Sequence, residues 1–264
     1  MLLATLSEIH RYPVKSMGGE SPDMCTVGTQ GIAGDRAFAL FEPETRTIAS
    51  AKSTGAFPRL MDFGARYRRG GTSFSLGDLC LTLPDGRSLA ADDPACVEAL
   101  SAWFGRRIEI GAVTDPPERR PRGRKYTMAG TFFDYAPLHL LTSTSQASLS
   151  RAAPNSVVET RRFRPNLVLA CDAKAAYPEN DWVGKTLRLG AEIIMEVTDP
   201  CPRCVMITLA QGDLPEEPQL IRTLGRENNL YVPILEQEQP SLGVYAAVRR
   251  GGSARVGDSL TIVS

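Results

Sequence analysis

The stretch Asp199-Pro-Cys-Pro-Arg-Cys-Val-Met-Ile-Thr208 contains two cysteines, Cys201 and Cys204, with Arg203 between them. Apolar, strand-like runs precede and follow the cysteines. Because proline restricts the backbone, we predict a stiff turn between two β-strands. The guanidinium group of Arg203 favours the thiolate form of a neighbouring thiol and attracts anions. The sequence therefore predicts an electropositive turn that presents a thiolate.

Four interpretations of the cysteine pair stay open on the residues alone. A redox dithiol normally begins a helix, whereas the run at 205–209 after Cys204 is β-like. A zinc site needs four ligands, and the other four cysteines form no second close pair. The two thiols can also be structural, or one thiolate can bind a soft metal carried by a cofactor. The stiff cationic turn favours a single thiolate ligand.

Length and composition limit the class of protein. The chain has 264 residues, 42% hydrophobic and 23% charged, as expected for one large or two modest globular domains. A formal net charge of zero argues against nucleic-acid binding. The first residues lack the basic segment of a signal peptide, and no apolar run reaches about 20 residues. We therefore expect a cytoplasmic protein, outside the membrane, with free thiols.

Short strands dominate the predicted secondary structure. The clearest helix runs from 93 to 104, capped by Asp92 or Asp93 and ended by Gly105. Thr142 offers an N-cap for a helix through residue 151, and a further helix is predicted at 219–227. Predicted strands lie at residues 6–12, 37–41, 45–49, 137–141 and 167–170, with a hairpin of 74–76 and 80–83 around Gly77-Asp78. This pattern predicts a mainly β fold with some helices (α+β), in which the strands form β-barrels.

A proline-rich basic stretch at residues 116–125 lacks any periodicity and is the predicted linker. It divides the chain into an N-terminal region, residues 1–115, and a second domain, residues 126–264. The basic side chains of the linker can dock an acidic redox partner, or the stretch can be a solvated loop.

Several short motifs occur in order along nearly the whole chain. They are Tyr12-Pro-Val-Lys-Ser16, Gly34-Asp-Arg36, Pro137-Leu-His-Leu-Leu-Thr-Ser143, Arg162-Phe-Arg-Pro-Asn166, Cys201-Pro-Arg-Cys204 and Val256-Gly-Asp258. Together they resemble the MOSC family in its two-part form, which includes amidoxime-reducing components and bacterial reductases of N-hydroxylated compounds. The resemblance implies an N-terminal β-barrel region followed by a β-barrel MOSC domain.

The resemblance also implies a molybdenum cofactor, a pterin that binds the metal through two sulfur atoms. The second cysteine of the motif, Cys204, is then the protein ligand to the metal and the catalytic residue. The remaining motif positions imply cofactor-binding residues: Lys15, Ser16, Arg36, Thr142, Ser143, Arg164, Asn166, Arg203 and Tyr245. Basic side chains suit the pterin phosphate, and hydroxyl and amide groups suit its polar edges. These residues are expected to converge on one cleft.

The leading hypothesis for function is a molybdenum-dependent oxidoreductase that reduces small N-hydroxylated substrates such as amidoximes, hydroxylamines and N-hydroxylated bases. The chain shows no cysteine cluster with iron–sulfur spacing, so we expect an external electron donor: a ferredoxin, a haem protein or a flavoprotein reductase. One alternative is a non-catalytic carrier of the cofactor or of sulfur on Cys204. A second alternative is a metal-free dithiol oxidoreductase that uses Cys201 and Cys204.

Overall fold

The structure is a computed structural model that describes residues 2–113 and 132–263. The predicted linker, residues 116–125, lies outside these residues, so the division of the chain there stays a prediction. The chain forms two compact units that alternate along the sequence. The first unit contains Met1–His10, Ser21–Ala33 and Ala136–Ser264, and the second contains Arg11–Glu20 and Gly34–Tyr135.

The described chain is rich in strands and has few helices, as predicted. The strands are β1 (Leu2–Ile9), β2 (Met24–Gly28), β3 (Gly31–Ile32), β4 (Phe38–Glu42), β5 (Thr47–Ile48), β6 (Gly64–Tyr67), β7 (Leu79–Thr82), β8 (Ser88–Ala90), β9 (Glu109–Ala112), β10 (Leu138–Thr142), β11 (Leu167–Ala170), β12 (Thr186–Leu189), β13 (Ile193–Pro202), β14 (Asn229–Val232), β15 (Gln237–Arg250), β16 (Gly252–Arg255) and β17 (Ser259–Ile262). The α-helices are α1 (Pro94–Phe104), α2 (Ser143–Ala152), α3 (Thr160–Phe163) and α4 (Leu220–Glu227). In the described ranges, none of these helices has the length and apolar character needed to cross a membrane.

A closed barrel forms the centre of the first unit. Its strands follow the order β10-β11-β1-β17-β12-β13-β15, and β15 pairs again with β10 to close the ring. Strand β14 adds to the outside of this ring through β15. Buried positions alternate along the strands, so that Ile193, Met195 and Val197 of β13 all face the core. The barrel interior is therefore a packed apolar core rather than a channel.

The second unit packs two three-stranded sheets around helix α1. The sheets have the orders β5-β4-β9 and β6-β7-β8. Asp93 caps α1 by accepting a hydrogen bond from the backbone N–H of Ala95, and Gly105 ends the helix in the left-handed conformation, as predicted. Aromatic rings of Phe57 and Phe63 pack on Phe104 at the end of the helix.

The strand predicted after Cys204 is wrong. Residues Val205–Thr208 form a 3-10 helix, in which the Thr208 hydroxyl donates to the carbonyl of Val205 at 2.7 Å. Ile207 is fully buried and packs with Leu220 and Leu224 of α4. The apolar side chains suited a strand, but burial of Ile207 against a helix decided the local conformation.

The hairpin predicted around Gly77-Asp78 is also wrong. Leu76–Asp78 form a 3-10 helix with a capping box, in which the Asp78 carboxylate accepts from the backbone N–H and the hydroxyl of Ser75. Because of this local bonding, residues 74–76 do not form a β-strand and do not pair with β7. Strand β7 pairs instead with β6 and β8.

Helix α2 begins at a buried polar cluster. Thr142 caps the helix by accepting from the backbone N–H of Ser145, as predicted. The carboxylate of Glu179, itself fully buried, accepts hydrogen bonds from the hydroxyls of Thr142 at 2.6 Å and Ser145 at 2.5 Å. Burial raises the pKa of Glu179, although the bonds from Ser145 and Thr142 oppose this shift.

Close backbone approach makes Gly243 a stability determinant of the barrel. Its φ is +76°, and a Cβ there would lie 2.3 Å from Nε2 of His139 and 2.4 Å from the Leu140 carbonyl. We expect Gly243→Ala to lower the free energy of unfolding by about 1–3 kcal/mol more than Gly184→Ala. Gly184 has φ +80° and open space around it. Gly184→Ala is therefore a control that has the same backbone strain but no steric clash of the new Cβ. Urea midpoints measure the difference, and equal losses in the two variants would contradict the packing argument.

The buried carboxyl group of Glu179 predicts a pH dependence of stability. Its pKa is raised in the folded chain above the ordinary value of 4.5, so the folded state binds more protons than the unfolded state just above that pH. Its contribution to stability is therefore fully present below pH 4.5 and is lost as pH rises through the folded pKa. The unfolding free energy of Glu179→Gln, relative to the native chain, should rise with pH above 4.5.

Urea unfolding across this pH range tests the expectation, with the exposed Glu216→Gln as the control variant. A difference between the native chain and Glu179→Gln that stays constant with pH would show that Glu179 does not titrate differently in the two states.

Candidate functional site

The Cys201–Cys204 segment lies at the end of β13. Cys201 is buried inside that strand, and Cys204 is partly exposed, immediately before the 3-10 helix. All six cysteines are free thiols, as predicted. The two thiols thus differ in environment, and Cys204 is the one that an exogenous group can reach more readily.

Arg203 links this segment to the rest of the first unit. Its Nη1 donates to Sγ of Cys201 at 2.8 Å, and its Nη2 donates to the carbonyl of Phe163 at 2.7 Å. Burial acts to lower the pKa of Arg203, but attraction to Cys201, Tyr245 and Cys204 outweighs it and the pKa is raised. Arg203 is therefore a buried cation held in place beside the cysteine pair.

Tyr245 lies on β15, opposite Asp199 of β13 and His139 of β10. Its ring meets the His139 ring edge-on, with 6.1 Å between centroids. His139 is a core residue, and its Nε2 lies 3.0 Å from the carbonyl of Leu242. Tyr245 and Arg203 therefore belong to one neighbourhood at the end of β13.

Arg164 and Asn166 follow helix α3. Arg164 ends the helix in the left-handed conformation, with φ 52°, and is mostly buried. The side-chain amide of Asn166 accepts from the backbone N–H of His139 and donates to the carbonyl of His10. The amide of Asn166 thus ties the start of β11 to β10 and to the end of β1.

The two hydroxyl residues at the start of α2 differ in availability. Thr142 is fully buried, and its hydroxyl is engaged with Glu179 and Ser145. Ser143 is exposed, and its Oγ accepts from the backbone N–H of Cys171 at 3.4 Å. Ser143 can therefore meet a ligand directly, whereas Thr142 acts on the backbone at the start of the helix.

In the second unit, Lys15 forms a charged cluster with Asp134 and Lys52, of which the sequence analysis predicted only Lys15 as a site residue. The carboxylate of Asp134 binds Nζ of Lys15 and Nζ of Lys52, each at 2.8 Å, and Lys15 also donates to the carbonyl of Phe132. Burial lowers the pKa of Lys15, with Asp134 opposing and Lys52 and Arg36 assisting the shift. Contacts across more than a hundred residues bring Asp134 to Lys15, so no local signal in the sequence could reveal them.

Arg36 is held by the aspartate that precedes it in the Gly-Asp-Arg motif. Asp35 is buried and pairs with Nη1 of Arg36, and its other oxygen accepts from the backbone N–H of Tyr12 at 2.7 Å. The guanidinium group of Arg36 also lies over the rings of Tyr12 and Phe133. Asp35 fixes the direction of Arg36, and the motif itself was the signal for this role.

Three of the predicted site residues adopt an uncommon backbone conformation. Ser16, Arg36 and Arg164 have φ values of 66°, 49° and 52°. Non-glycine residues with positive φ are uncommon, and such strain concentrates at ligand-binding positions. The conformation supports a functional role for these three residues.

The predicted site residues divide between the units. Lys15, Ser16 and Arg36 lie in the second unit, and the others lie in the first. Convergence of the two sets on one cleft stays a prediction. Residues 2–113 and 132–263 contain no group of three or more histidine, cysteine, aspartate or glutamate side chains arranged to hold a metal ion.

Comparison with known families identifies two domains in this chain. The MOSC N-terminal beta barrel domain matches residues 3–109, and the MOSC domain matches residues 128–261. Mitochondrial amidoxime reducing component 2 of Homo sapiens is 32% identical, over 97% of this chain and 82% of its own. The protein of the same name from Macaca fascicularis is 25% identical over the same shares of the two chains.

Among solved structures, the YUAD protein from Bacillus subtilis is 10% identical, covers 97% of this chain and 93% of its own, and has a TM-score of 0.45. The family assignment rests on the two domain matches and on the human relative. On these grounds, the chain belongs to the family of proteins that combine a MOSC N-terminal beta barrel domain with a MOSC domain.

Proposed function

We propose that this protein is a molybdenum-cofactor-dependent reductase of small N-hydroxylated compounds such as amidoximes. The similarity to mitochondrial amidoxime reducing component 2 supports the reaction class. The observation that carries the proposal is the partly exposed thiol of Cys204 beside the cation of Arg203 at the end of β13.

The residues present fit such a cofactor. A soft metal carried by a sulfur-containing pterin would accept a thiolate as its protein ligand, and Cys204 would supply one. Nε of Arg203 is buried and lacks a hydrogen-bond partner within the described chain. A buried donor of this kind is costly unless an acceptor meets it, and an anionic cofactor offers acceptors.

The roles of the chain's own residues follow from their chemistry. Cys204 would hold the metal through Sγ, and Arg203 would stabilise the anionic parts of the cofactor. Lys15, Ser16, Arg36, Ser143 and Arg164 bind phosphate and polar edges of the pterin, while Thr142 and Asn166 hold the backbone on which these groups lie. Tyr245 lies near enough to Arg203 to interact with it electrostatically. When bound, the cofactor supplies the two-electron chemistry that cleaves the N–O bond.

Electrons come from a separate donor, a ferredoxin, a haem protein or a flavoprotein reductase. We propose a cytoplasmic location for the reaction. The basic linker at residues 116–125 is the proposed dock for an acidic donor, because clustered arginines attract a negatively charged surface.

The ligand role of Cys204 predicts a large effect of its removal. Cys204→Ser should lower methyl-viologen-driven reduction of benzamidoxime by more than about 100-fold, since even residues behind metal ligands contribute 10- to 100-fold. Cys171→Ser, a partly exposed thiol at the end of β11, is the matched control and should keep activity. Elemental analysis of both variants reports the molybdenum content. Full turnover by Cys204→Ser would exclude the ligand assignment.

Lys15 provides a second test, because the interaction of a largely buried cation with a phosphate would be strong. Lys15→Met should weaken cofactor retention roughly ten- to hundredfold, since hydrogen bonds to charged groups contribute about 1.5–3 kcal/mol. Lys174→Met removes an exposed lysine and serves as control. Molybdenum per chain after dialysis is the measurement. Equal retention in the two variants would remove Lys15 from the site.

A further inference from the structure

Arg162 is the largest fully buried side chain of the described residues, and neither the metal nor the pterin requires it in the roles above. It lies on the four-residue helix α3, next to the exposed Arg161. A buried guanidinium group needs acceptors for its donors, since an unsatisfied buried cation is strongly destabilising. The identity of those acceptors indicates what the side chain does.

The acceptors of Arg162 are backbone carbonyls. Nε donates to Val157 at 2.7 Å, Nη2 donates to Pro215 at 2.7 Å, and Nη1 donates to Leu209 at 3.1 Å, with Ile207 at 3.4 Å. One side chain thus joins the segment before α3 to three points of the segment between β13 and α4. A planar guanidinium group is suited to this task because its donors point in fixed, diverging directions.

The carbonyls of Ile207 and Leu209 belong to the turn that directly follows Cys204. The carbonyls at the end of a short helix have no partner within that helix. Arg162 supplies such partners at the end of the 3-10 helix Val205–Thr208, and Pro215 closes the loop beyond it. The position of the chain after Cys204 therefore depends on Arg162.

Helix α3, which carries Arg162, also fixes the chain before Cys204. Arg203 donates through Nη2 to the carbonyl of Phe163, the residue after Arg162, and its backbone N–H donates to the carbonyl of Pro240 at 2.7 Å. The chain before Cys204 is thus held by the two bonds of Arg203, and the chain after Cys204 is held by the bonds of Arg162. The ladder between β13 and β15 ends next to Cys204, so the side-chain bonds of Arg203 and Arg162 hold the chain on either side of the thiol.

We propose that Arg162 is a positioning residue for Cys204. Through its hydrogen bonds Arg162 acts as a brace, which holds the Cys204 thiol in one direction and limits the access of solvent to that thiol. The inference rests on the proposed function insofar as that thiol ligates the metal. Loss of the brace frees the turn at 205–209 and exposes the thiol, while the barrel strands keep their own hydrogen bonds.

The test compares Arg162→Lys with Arg161→Lys. Lysine keeps the charge but cannot reach carbonyls in several directions at once, whereas Arg161 is exposed and pairs with Glu159 and Asp213. The full chain, produced in a host unable to make the molybdenum cofactor, is treated with iodoacetamide under native conditions. Peptide mass spectrometry gives the alkylation rates of Cys204 and of Cys171, and their ratio removes any general loosening of the fold.

We expect Arg162→Lys to raise the Cys204-to-Cys171 rate ratio at least fivefold and Arg161→Lys to leave it unchanged. An unchanged ratio in Arg162→Lys, or equal acceleration of both thiols, would overturn the proposal. Should Arg162→Lys not fold, Arg162→Gln, which keeps the planar amide donors, carries the same comparison.

Molybdenum content of the chain produced with cofactor separates the two proposals. A raised ratio in a protein that never binds molybdenum supports Arg162 as a brace and overturns the proposed function. An unchanged ratio in a protein that retains molybdenum overturns the brace and supports the proposed function.

Discussion

A guanidinium group that leaves water must find acceptors, and two such groups determine the backbone around Cys204. Arg203 donates to a sulfur atom and a carbonyl, and Arg162 donates only to carbonyls. The bonds from Arg203 to Phe163 and from Arg162 to Pro215 join segments that are distant in sequence. These side-chain bonds help to order the irregular segment between β13 and α4, together with backbone bonds such as the one from Glu217 to Thr208. The closed barrel provides the rigid base on which such a segment can be placed.

The elements that the sequence predicted well are those with strong local signals. Helix α1 has an aspartate cap and a terminal glycine, α2 has a threonine cap, and strands β10 and β11 are short apolar runs. The 3-10 helix at 205–208 escaped prediction because burial of Ile207 against α4 and the bonds from Arg162 determine it. Alternation and propensity do not encode contacts of that range.

The candidate site shows a similar division. Motifs pointed to the cations and to the thiol, and the structure adds the carboxylates that hold them, among them Asp35 beside Arg36 and Asp134 beside Lys15. It also assigns two polar residues, Thr142 and Asn166, to bonds within the fold. A motif names residue types in order, but whether a hydroxyl or an amide turns outward depends on neighbours such as Glu179 that lie elsewhere in the chain.

The strand order of the barrel has a consequence for synthesis of the chain. Strand β1 precedes all other described strands in the chain, yet its two neighbours are β11 and β17, and β17 ends at Ile262. The ring therefore cannot close on the ribosome until residue 262 has emerged, whereas the sheets of the second unit pair within residues 38–112. Since domains fold as units once their strands are available, β1 must wait unpaired while a later segment folds. Its alternating polar positions are then the feature that keeps a nascent edge strand from pairing with another chain.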